Sequence, residues 1–320
     1  MNGYVQQWNF NIQRDLFKDF ALTAAYVGSK GTHLQIMEEA NGAPYIPGNC
    51  GSSACSTSGN INNRRLYQPF ATIESMEANG FSSYHALQLT LKRRFAAGYS
   101  ILMSYTWSHF IDLIADDGHG STSPSGTDPF NWFYDKGTSD LNIAHRFVTS
   151  FVYEPQVLKG ATGFKRALLG GWQLNGIITL QSGIPFSVAA GVNRSLSGGT
   201  GDRADLIGAG PVATYGEEAR AQFIQKYFDT SRFALPALGT FGTAGRNILT
   251  GPGLANVDAS AFKIFRATER LSFDLRWEVF NVLNRPNFNN PVTSFSSAQF
   301  GQITSAGSPR IMQVALKLLF

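Results

Sequence analysis

The sequence predicts an all-β fold, a transmembrane antiparallel β-barrel to which this chain contributes about nine strands. Segments of about 10 residues alternate between apolar and polar side chains, and a strand of that length crosses a bilayer when tilted by about 45°. The connections between them alternate between short and long, as the two sets of loops do in membrane barrels. No stretch approaches the 18 apolar residues of a membrane-spanning helix, so strands are the only means of crossing.

The last strand, Arg310–Phe320, shows the pattern at the C-terminus. Alternate residues from Met312 onward are apolar, whereas Gln313, Ala315 and Lys317 occupy the other positions. In a membrane barrel the apolar face contacts lipid and the polar face lines the lumen. On this stretch alone, a core strand of a soluble protein explains the alternation equally well.

The other predicted strands share this period of two. They are Tyr4–Gln13, Phe20–Gly28, Tyr84–Phe95, Tyr99–Phe110, His145–Glu154, Gly170–Ala190, Ala255–Phe265 and Leu271–Asn281. The last of these has the clearest pattern, and it predicts that Asp274, Arg276 and Glu278 face the lumen. There they would pair with each other or with a plug, or contact a substrate, because such charges are costly on the lipid face.

The short connections are Arg14–Asp19, Ala96–Gly98, Pro155–Leu168 and Arg266–Arg270, and the long ones begin near residues 29, 111, 191 and 282. Pro185 predicts a bulge or break in the sixth strand, because proline cannot donate to a central ladder. Aromatic residues near the ends of the predicted strands form two groups, one at each membrane interface, which predicts two aromatic girdles. Their members are Tyr99, Trp172, Phe265 and Phe320 beside the short turns, and Tyr26, Tyr105 and Trp107 near the other interface.

Composition excludes several classes of function. The net charge of +4 is not concentrated in one run, so no nucleic-acid partner is expected. The five scattered histidines form no HExxH motif, and no GxSxG motif is present. We therefore expect neither an enzyme nor a cofactor. The N-terminus lacks the regions of a signal peptide, so either the protein is not secreted or its start is missing.

Four segments are candidate sites. Cys50 and Cys55 suggest a small disulfide if their loop lies in an oxidising compartment, and a metal pair is the weaker alternative. The sequence Asp116–His119 could bind a cation, but a solvated loop is favoured because the spaced ligands of an EF-hand are missing. Gly199–Ala204 matches G-x-G-x-x-A without the strand and helix that dinucleotide binding needs. Glu217–Phe228 has helical spacing, with Ala221, Ile224 and Phe228 on one side, and predicts a loop-packing helix or, less favoured, a ligand lid.

Several motifs resemble one known family. The terminal phenylalanine is similar to the C-terminal assembly signal of bacterial outer-membrane barrels, here Val314, Leu316, Leu318 and Phe320. The order of the other motifs resembles the Oar-like branch of the TonB-dependent receptors. They are Leu169-Gly170-Gly171-Trp172-Gln173-Leu174, Gln181-Ser182-Gly183-Ile184-Pro185-Phe186, Gly245-Arg246-Asn247, Glu278-Val279-Phe280-Asn281 and Asn284-Arg285-Pro286-Asn287-Phe288.

This resemblance implies an outer-membrane receptor whose barrel of 22 strands is plugged by an N-terminal domain and energised by TonB. The sequence contains neither plug nor TonB box, so residues 1–320 are expected to be the last nine strands of such a barrel. The implied partners are outer-membrane lipid, the barrel assembly machinery, the TonB complex through the missing N-terminal part, and an unidentified substrate. Both end strands run in the same direction, so the sheet should stay open. The alternatives are a non-transport surface barrel that binds partners or glycans, and a soluble all-β binding module.

Overall fold

The computed structural model describes residues 2–113, 127–156, 163, 169–199, 201–266, 268 and 271–320. In these residues, nine strands longer than eight residues form one antiparallel sheet. They are β1 (Tyr4–Phe17), β2 (Phe20–Glu39), β3 (Glu74–Ala96), β4 (Tyr99–Asp112), β5 (His145–Tyr153), β6 (Trp172–Gln181), β7 (Leu254–Arg266), β8 (Ser272–Phe280) and β9 (Ile311–Leu319). The described connections contain two-residue strands and short helical segments, among them Ser58–Arg64, Trp132–Asp135, Glu217–Gln225 and Thr230–Arg232.

Each strand pairs with its neighbours in the sequence, in the order β1 to β9. The connections alternate as predicted, so the long ones all leave from one end of the sheet. Of the helices in the described residues, none has the length and hydropathy that a membrane crossing requires.

The register divides the sheet into one apolar and one polar face, because directly opposite residues in a ladder point to the same side. Phe147 on β5 lies directly opposite Tyr105 on β4 and opposite Leu180 on β6. The same face carries Trp8, Phe10, Ile12, Tyr26, Leu87, Leu89, Leu91, Met103, Phe151, Leu174, Ile178, Val257, Leu275, Trp277, Val279, Met312, Val314, Leu316 and Leu318.

The other face carries mostly polar side chains, with apolar exceptions such as Leu102 and Ile177. Its polar members are Gln7, Asn9, Asn11, Thr23, Gln88, Thr90, Ser104, Thr106, Asn175, Thr179, Asn256, Asp258, Asp274, Arg276, Glu278, Gln313 and Lys317. The division holds from β1 to β9 because a one-residue slip in any ladder would move a whole strand to the wrong face.

The prediction of a long irregular segment from Ser29 to about Ser75 is wrong at its start, and the third strand begins ten residues before the predicted Tyr84. β2 continues to Glu39 and β3 begins at Glu74, and their ladder runs on from Ser29 opposite Tyr84 to Glu39 opposite Glu74. Irregular pairing around Leu34 shifts the register in this upper part. Backbone pairing holds these residues extended although their side chains do not alternate, so the pattern in the sequence gives no sign of a strand.

Smaller differences concern the strand ends. β1 runs on to Phe17 through a register shift after Asp15, where a polar connection was predicted. β6 ends at Gln181 rather than Ala190, and the predicted break follows it. A Cβ atom on Gly183 would lie 1.8 Å from the carbonyl oxygen of Gly251, so only glycine fits where the chain leaves the sheet.

The end of the sheet opposite the long connections has tight turns and contacts between cations and aromatic rings. Ala97 and Gly98 have φ values of 51° and 84°, as a type I′ hairpin requires. The Arg93 guanidinium lies 3.4 Å from the centroid of the Tyr99 ring, and the Lys263 ammonium lies 5.1 Å from that of Trp172. Aromatic residues therefore lie beside the short turns as predicted, with cations stacked on them.

The sheet is open, as expected. In the described residues, β1 pairs only with β2, and β9 pairs only with β8. Every residue of both strands is exposed, and Phe320 is 98% exposed. Each edge therefore presents a row of backbone groups without strand partners.

Our first prediction tests the two faces at the middle of β3. We expect Leu89→Arg to lower the free energy of unfolding in lipid vesicles by about 2–4 kcal/mol, because arginine at mid-bilayer depth on the lipid face is costly. The matched variant Gln88→Arg changes the adjacent residue on the opposite face and should cost clearly less. Equal losses from the two variants would refute the division of faces.

Candidate functional site

The four long connections fold together into one layer above the sheet. This loop layer comprises residues 40–73, 127–144, 182–199, 201–253 and 281–310. The Ala43 amide donates to the Ser197 carbonyl at 2.7 Å, and Ala189 forms a β-bridge with Ser294. The connections therefore support one another.

The layer has an apolar core of its own. Phe228 and Val188 are completely buried, and ring contacts join Phe228 to Phe186, Phe233 and Phe300. The other members of the core are Ala204, Phe223, Tyr227, Ala244, Leu249 and Ile303. Burial of aromatic residues is the main source of stability in such a cluster. Loops that carry a core can hold a fixed surface for a ligand.

A buried ion pair between Asp135 and Arg203 joins the second and third long connections. The Asp135 carboxylate also accepts from the Thr127 amide at 2.6 Å and from the Thr127 hydroxyl at 2.9 Å. The Arg203 guanidinium donates to the carbonyls of Ala244 and Tyr134 at 2.8 and 2.7 Å. Both charges are thus hydrogen-bonded on several sides, as buried charges must be.

Tyr134 packs against this pair. Its ring lies 3.8 Å from the Arg203 guanidinium, and its hydroxyl donates to the Phe241 carbonyl at 2.6 Å. Burial raises the pKa of the Tyr134 hydroxyl to about 12, against the opposing charge of Arg203. The hydroxyl therefore remains a donor at physiological pH.

Arg246 connects the layer to the end of β4. Its guanidinium donates to Asp112 at 2.6 Å and to Asp140 at 2.7 Å. Burial alone would lower the pKa of Arg246, but its hydrogen bonds to the two carboxylates raise it overall. Asn247 donates to the Thr138 carbonyl at 2.7 Å. The Gly245-Arg246-Asn247 motif, noted in the sequence only as a resemblance, thus has a structural role.

A third buried pair organises the first long connection. Arg65 donates to Glu39, at the end of β2, over 2.7 Å. Asn41, which is fully buried, donates to the carbonyls of Tyr67, Phe70 and Ala71 over 2.7–3.1 Å. The exposed side chains of Leu66, Tyr67 and Phe70 are therefore held on a fixed backbone.

The G-x-G-x-x-A segment has a structural role in the described residues. Asp202 is buried, and its carboxylate accepts from the backbone amide of Ser195 at 2.6 Å. The next residue is Arg203, whose ion pair is described above. No pattern in the sequence indicates that Asp135 and Arg203 organise the layer, because the two residues lie 68 positions apart in the chain.

The helix predicted at Glu217–Phe228 is shorter, although Ile224 packs against the apolar core and Phe228 is buried in it, as predicted. A 3₁₀ turn, Glu217–Ala219, precedes the α-helix Arg220–Gln225. Phe223 is buried and Ala221 is exposed, so the prediction that Ala221 lies on the packed side is wrong. The apolar core selects the larger aromatic side chain, because it buries more apolar surface. Asp116–His119 lies outside the described residues.

The two cysteines are joined in the structure. Cys50 and Cys55 form a disulfide with Cα atoms 4.8 Å apart, next to a two-residue hairpin. In the described residues, no group of three histidine, cysteine, aspartate or glutamate side chains has the arrangement of a metal site.

The three charged residues of β8 lie on the polar face, and two of them pair along the strand. The Arg276 guanidinium donates to the Asp274 carboxylate at 3.0 and 3.1 Å. Glu278 instead accepts from Gln313 on β9. Each charge therefore has a partner within the sheet.

Comparison with known proteins gives the class to which this architecture belongs. The model of the outer membrane beta barrel domain matches residues 1–313. The chain belongs to this family, and it is an outer-membrane protein. A comparison with curated protein sequences gives no match.

The solved structures that this chain matches are larger. The outer membrane transporter YddB from Escherichia coli is 9% identical with a TM-score of 0.50, and the match covers 99% of this chain but 32% of that one. The FrpB iron transporter from Neisseria meningitidis is 12% identical with a TM-score of 0.42, covering 99% and 31% of the two chains. This chain thus spans about a third of the length of the structures that it matches.

Our second prediction concerns the Asp135–Arg203 pair. Asp135→Asn leaves the Arg203 charge buried without its counter-charge, which should cost about 3–5 kcal/mol. We expect faster amide hydrogen exchange in the segment of residues 186–249. The matched variant Lys226→Ala breaks an exposed pair in the same layer and should leave this exchange unchanged. Unchanged exchange in Asp135→Asn would show that the pair does not organise the layer.

Our third prediction concerns the disulfide. Mass spectrometry of unreduced protein from the cell surface should find Cys50 linked to Cys55. Reduction should release the link, and the variant Cys55→Ser should lack it. Two free thiols in the unreduced sample would contradict the prediction.

Proposed function

We propose that this chain is the C-terminal part of the barrel of a TonB-dependent receptor of the Oar-like branch, which imports a substrate across the outer membrane. One observation carries the proposal. The nine strands form an open sheet with one apolar face, and all its long connections fold into a single layer at one end. A receptor barrel needs such a layer where it meets its substrate. Four of the five motifs that suggested the branch lie in this layer or at its junctions with the sheet, whereas Leu169–Leu174 lies at the other end, where β6 begins.

In this proposal the apolar face contacts lipid and the polar face lines the lumen. The charges of Asp274, Arg276 and Glu278 then lie inside the barrel, where water or a plug can solvate them. The lumen is the less costly side for these charges, because a charge that faces lipid at mid-bilayer depth costs several kcal/mol. In the lumen they are well placed to contact a plug domain.

The parent barrel would supply the strands that pair with β1 and β9. Residues 1–320 form one part of the barrel domain, and the remaining strands of a 22-stranded barrel lie elsewhere in the parent protein. The unpaired edges support this, since a stable membrane sheet must satisfy every backbone group. The TonB complex would act through the N-terminal part of that protein.

The loop layer is the proposed contact surface for the unidentified substrate. It exposes aromatic and apolar side chains on a backbone fixed by buried ion pairs, and such preorganisation favours binding. The exposed side chains are those of Leu66, Tyr67, Phe70, Phe130 and Phe133. A non-transport surface barrel would use the same layer for proteins or glycans.

The gene separates these two functions. An upstream reading frame that encodes a plug domain and a TonB box, together with loss of uptake when TonB is deleted, supports transport. A reading frame that starts at Met1 would refute the receptor proposal and favour the surface-binding alternative.

Our fourth prediction tests the topology of the parent protein. Single cysteines at Leu141 and Leu235, which are exposed in the loop layer, should react with a membrane-impermeant thiol reagent on intact cells. Cysteines at Lys18 and Thr268, beside the short turns, should react only after the outer membrane is opened. The reverse pattern of labelling would invalidate the orientation.

Our fifth prediction concerns Phe320 as an assembly signal with Val314, Leu316 and Leu318. Deleting Phe320 from the parent protein should reduce the amount inserted in the outer membrane while leaving synthesis unchanged, since assembly must recognise the last strand before closure. Replacing it with tryptophan, another large aromatic residue, should preserve insertion. Normal insertion of the deletion variant would rule out the signal.

A further inference from the structure

A cavity of about 300 Å³ lies where the apolar face of the sheet meets the loop layer. One wall consists of Tyr105, Phe147 and Leu180, which are partners on the apolar face of β4, β5 and β6. The polar wall consists of His145, two residues before Phe147 on the same face of β5, together with Glu217 and Arg285 from the loop layer. The cavity is therefore apolar toward the bilayer and polar away from it.

Part of the Arg285 guanidinium is available to donate hydrogen bonds to a ligand. Its Nη2 atom donates to the Glu217 carboxylate at 2.5 Å. No hydrogen bond joins its Nε or Nη1 atom to another residue in the part of the chain that the structure describes. The Asn281 side chain holds the Arg285 backbone through bonds of 2.9 and 3.0 Å. Arg285 is thus fixed at its backbone, and Glu217 orients its guanidinium.

His145 adds a second donor to the polar wall. Its Nδ1 atom lies 2.8 Å from the Tyr105 hydroxyl, and the two rings stack at an interplanar angle of 19°. Its backbone amide donates to the Ser182 hydroxyl at 3.1 Å. When the Tyr105 hydroxyl donates to Nδ1, the ring proton resides on Nε2, and this nitrogen can donate to a ligand.

We propose that this cavity binds an acyl lipid whose headgroup carries a phosphate. The phosphate accepts from Arg285 and from Nε2 of His145, and the upper part of an acyl chain lies on Phe147 and Leu180. Arginine is well suited to phosphate because its planar fork of donors matches the phosphate oxygens. Glu217, which also lines the cavity, is a positioning residue that holds the guanidinium through its Nη2 atom.

The position of the cavity favours a lipid over a transported solute. Its apolar wall is continuous with the face that contacts lipid in the orientation proposed above, on which this inference rests. A solute that passes through the lumen would not reach that side of the sheet. An amphiphile at the interface would meet both walls at once, because its own polar and apolar parts are separated in the same direction.

The test uses the full-length protein in a neutral detergent, with lipid retention measured by native mass spectrometry. The probes are phosphatidic acid and diacylglycerol with the same acyl chains, which differ only in the phosphate. We expect retention of phosphatidic acid and background retention of diacylglycerol. Arg285→Gln should weaken phosphatidic acid binding about tenfold, since it removes charge-assisted hydrogen bonds. The matched variant Lys226→Gln removes a loop-layer charge outside the cavity and should bind like the wild type.

A second variant on another element, His145→Gln, should weaken binding several-fold and keeps the test valid if Arg285→Gln does not fold. Heat-dependent migration in gels verifies folding of each variant. Three outcomes would overturn the proposal: equal binding of diacylglycerol, unchanged binding in both cavity variants, or displacement of the lipid by inorganic phosphate alone. The thiol labelling of the loop layer is unaffected by these variants, so failure of the lipid site and failure of the topology are distinguishable.

Discussion

The backbone hydrogen-bond ladder is the constraint on which the rest of this structure depends. Hydrocarbon offers no partner to an N–H or C=O group, so each membrane-crossing strand must pair along its length. Pairing in a fixed register then aligns the side chains of all nine strands, and Tyr105, Phe147 and Leu180 come to lie at one level on one face. The apolar band, the polar face and the common end of the long connections all follow from this register.

The loop layer is stabilised differently, by side-chain burial and ion pairs, because it lies outside the hydrocarbon. It closes over an apolar core of aromatic side chains and over charges that are buried in pairs, such as Asp135 with Arg203. Removing one partner from such a pair is far more costly than forming the pair is favourable. The pairs therefore specify which loops meet, and the apolar core supplies the burial that favours their association.

The two parts of the protein meet at a narrow boundary. Arg246 donates to Asp112 at the end of β4. Asn281 directly follows β8, and its side chain donates to the Arg285 carbonyl. The contacts that fix the loops are thus formed by residues next to the strand ends. The proposed lipid cavity lies at this boundary because apolar strand residues and charged loop residues come close together there.

Alternation with a period of two in the amino-acid sequence predicts the nine strands, their faces and the two sets of connections, because it shows which side of each strand is apolar. It also showed that Asp274, Arg276 and Glu278 share a face. Three features are visible only in the folded chain: β2 and β3 extend beyond the apolar pattern, Phe223 rather than Ala221 is buried, and Arg203 pairs with Asp135. These features depend on contacts between segments that are distant in the chain. A local sequence pattern cannot indicate that Arg203 pairs with Asp135, 68 residues away.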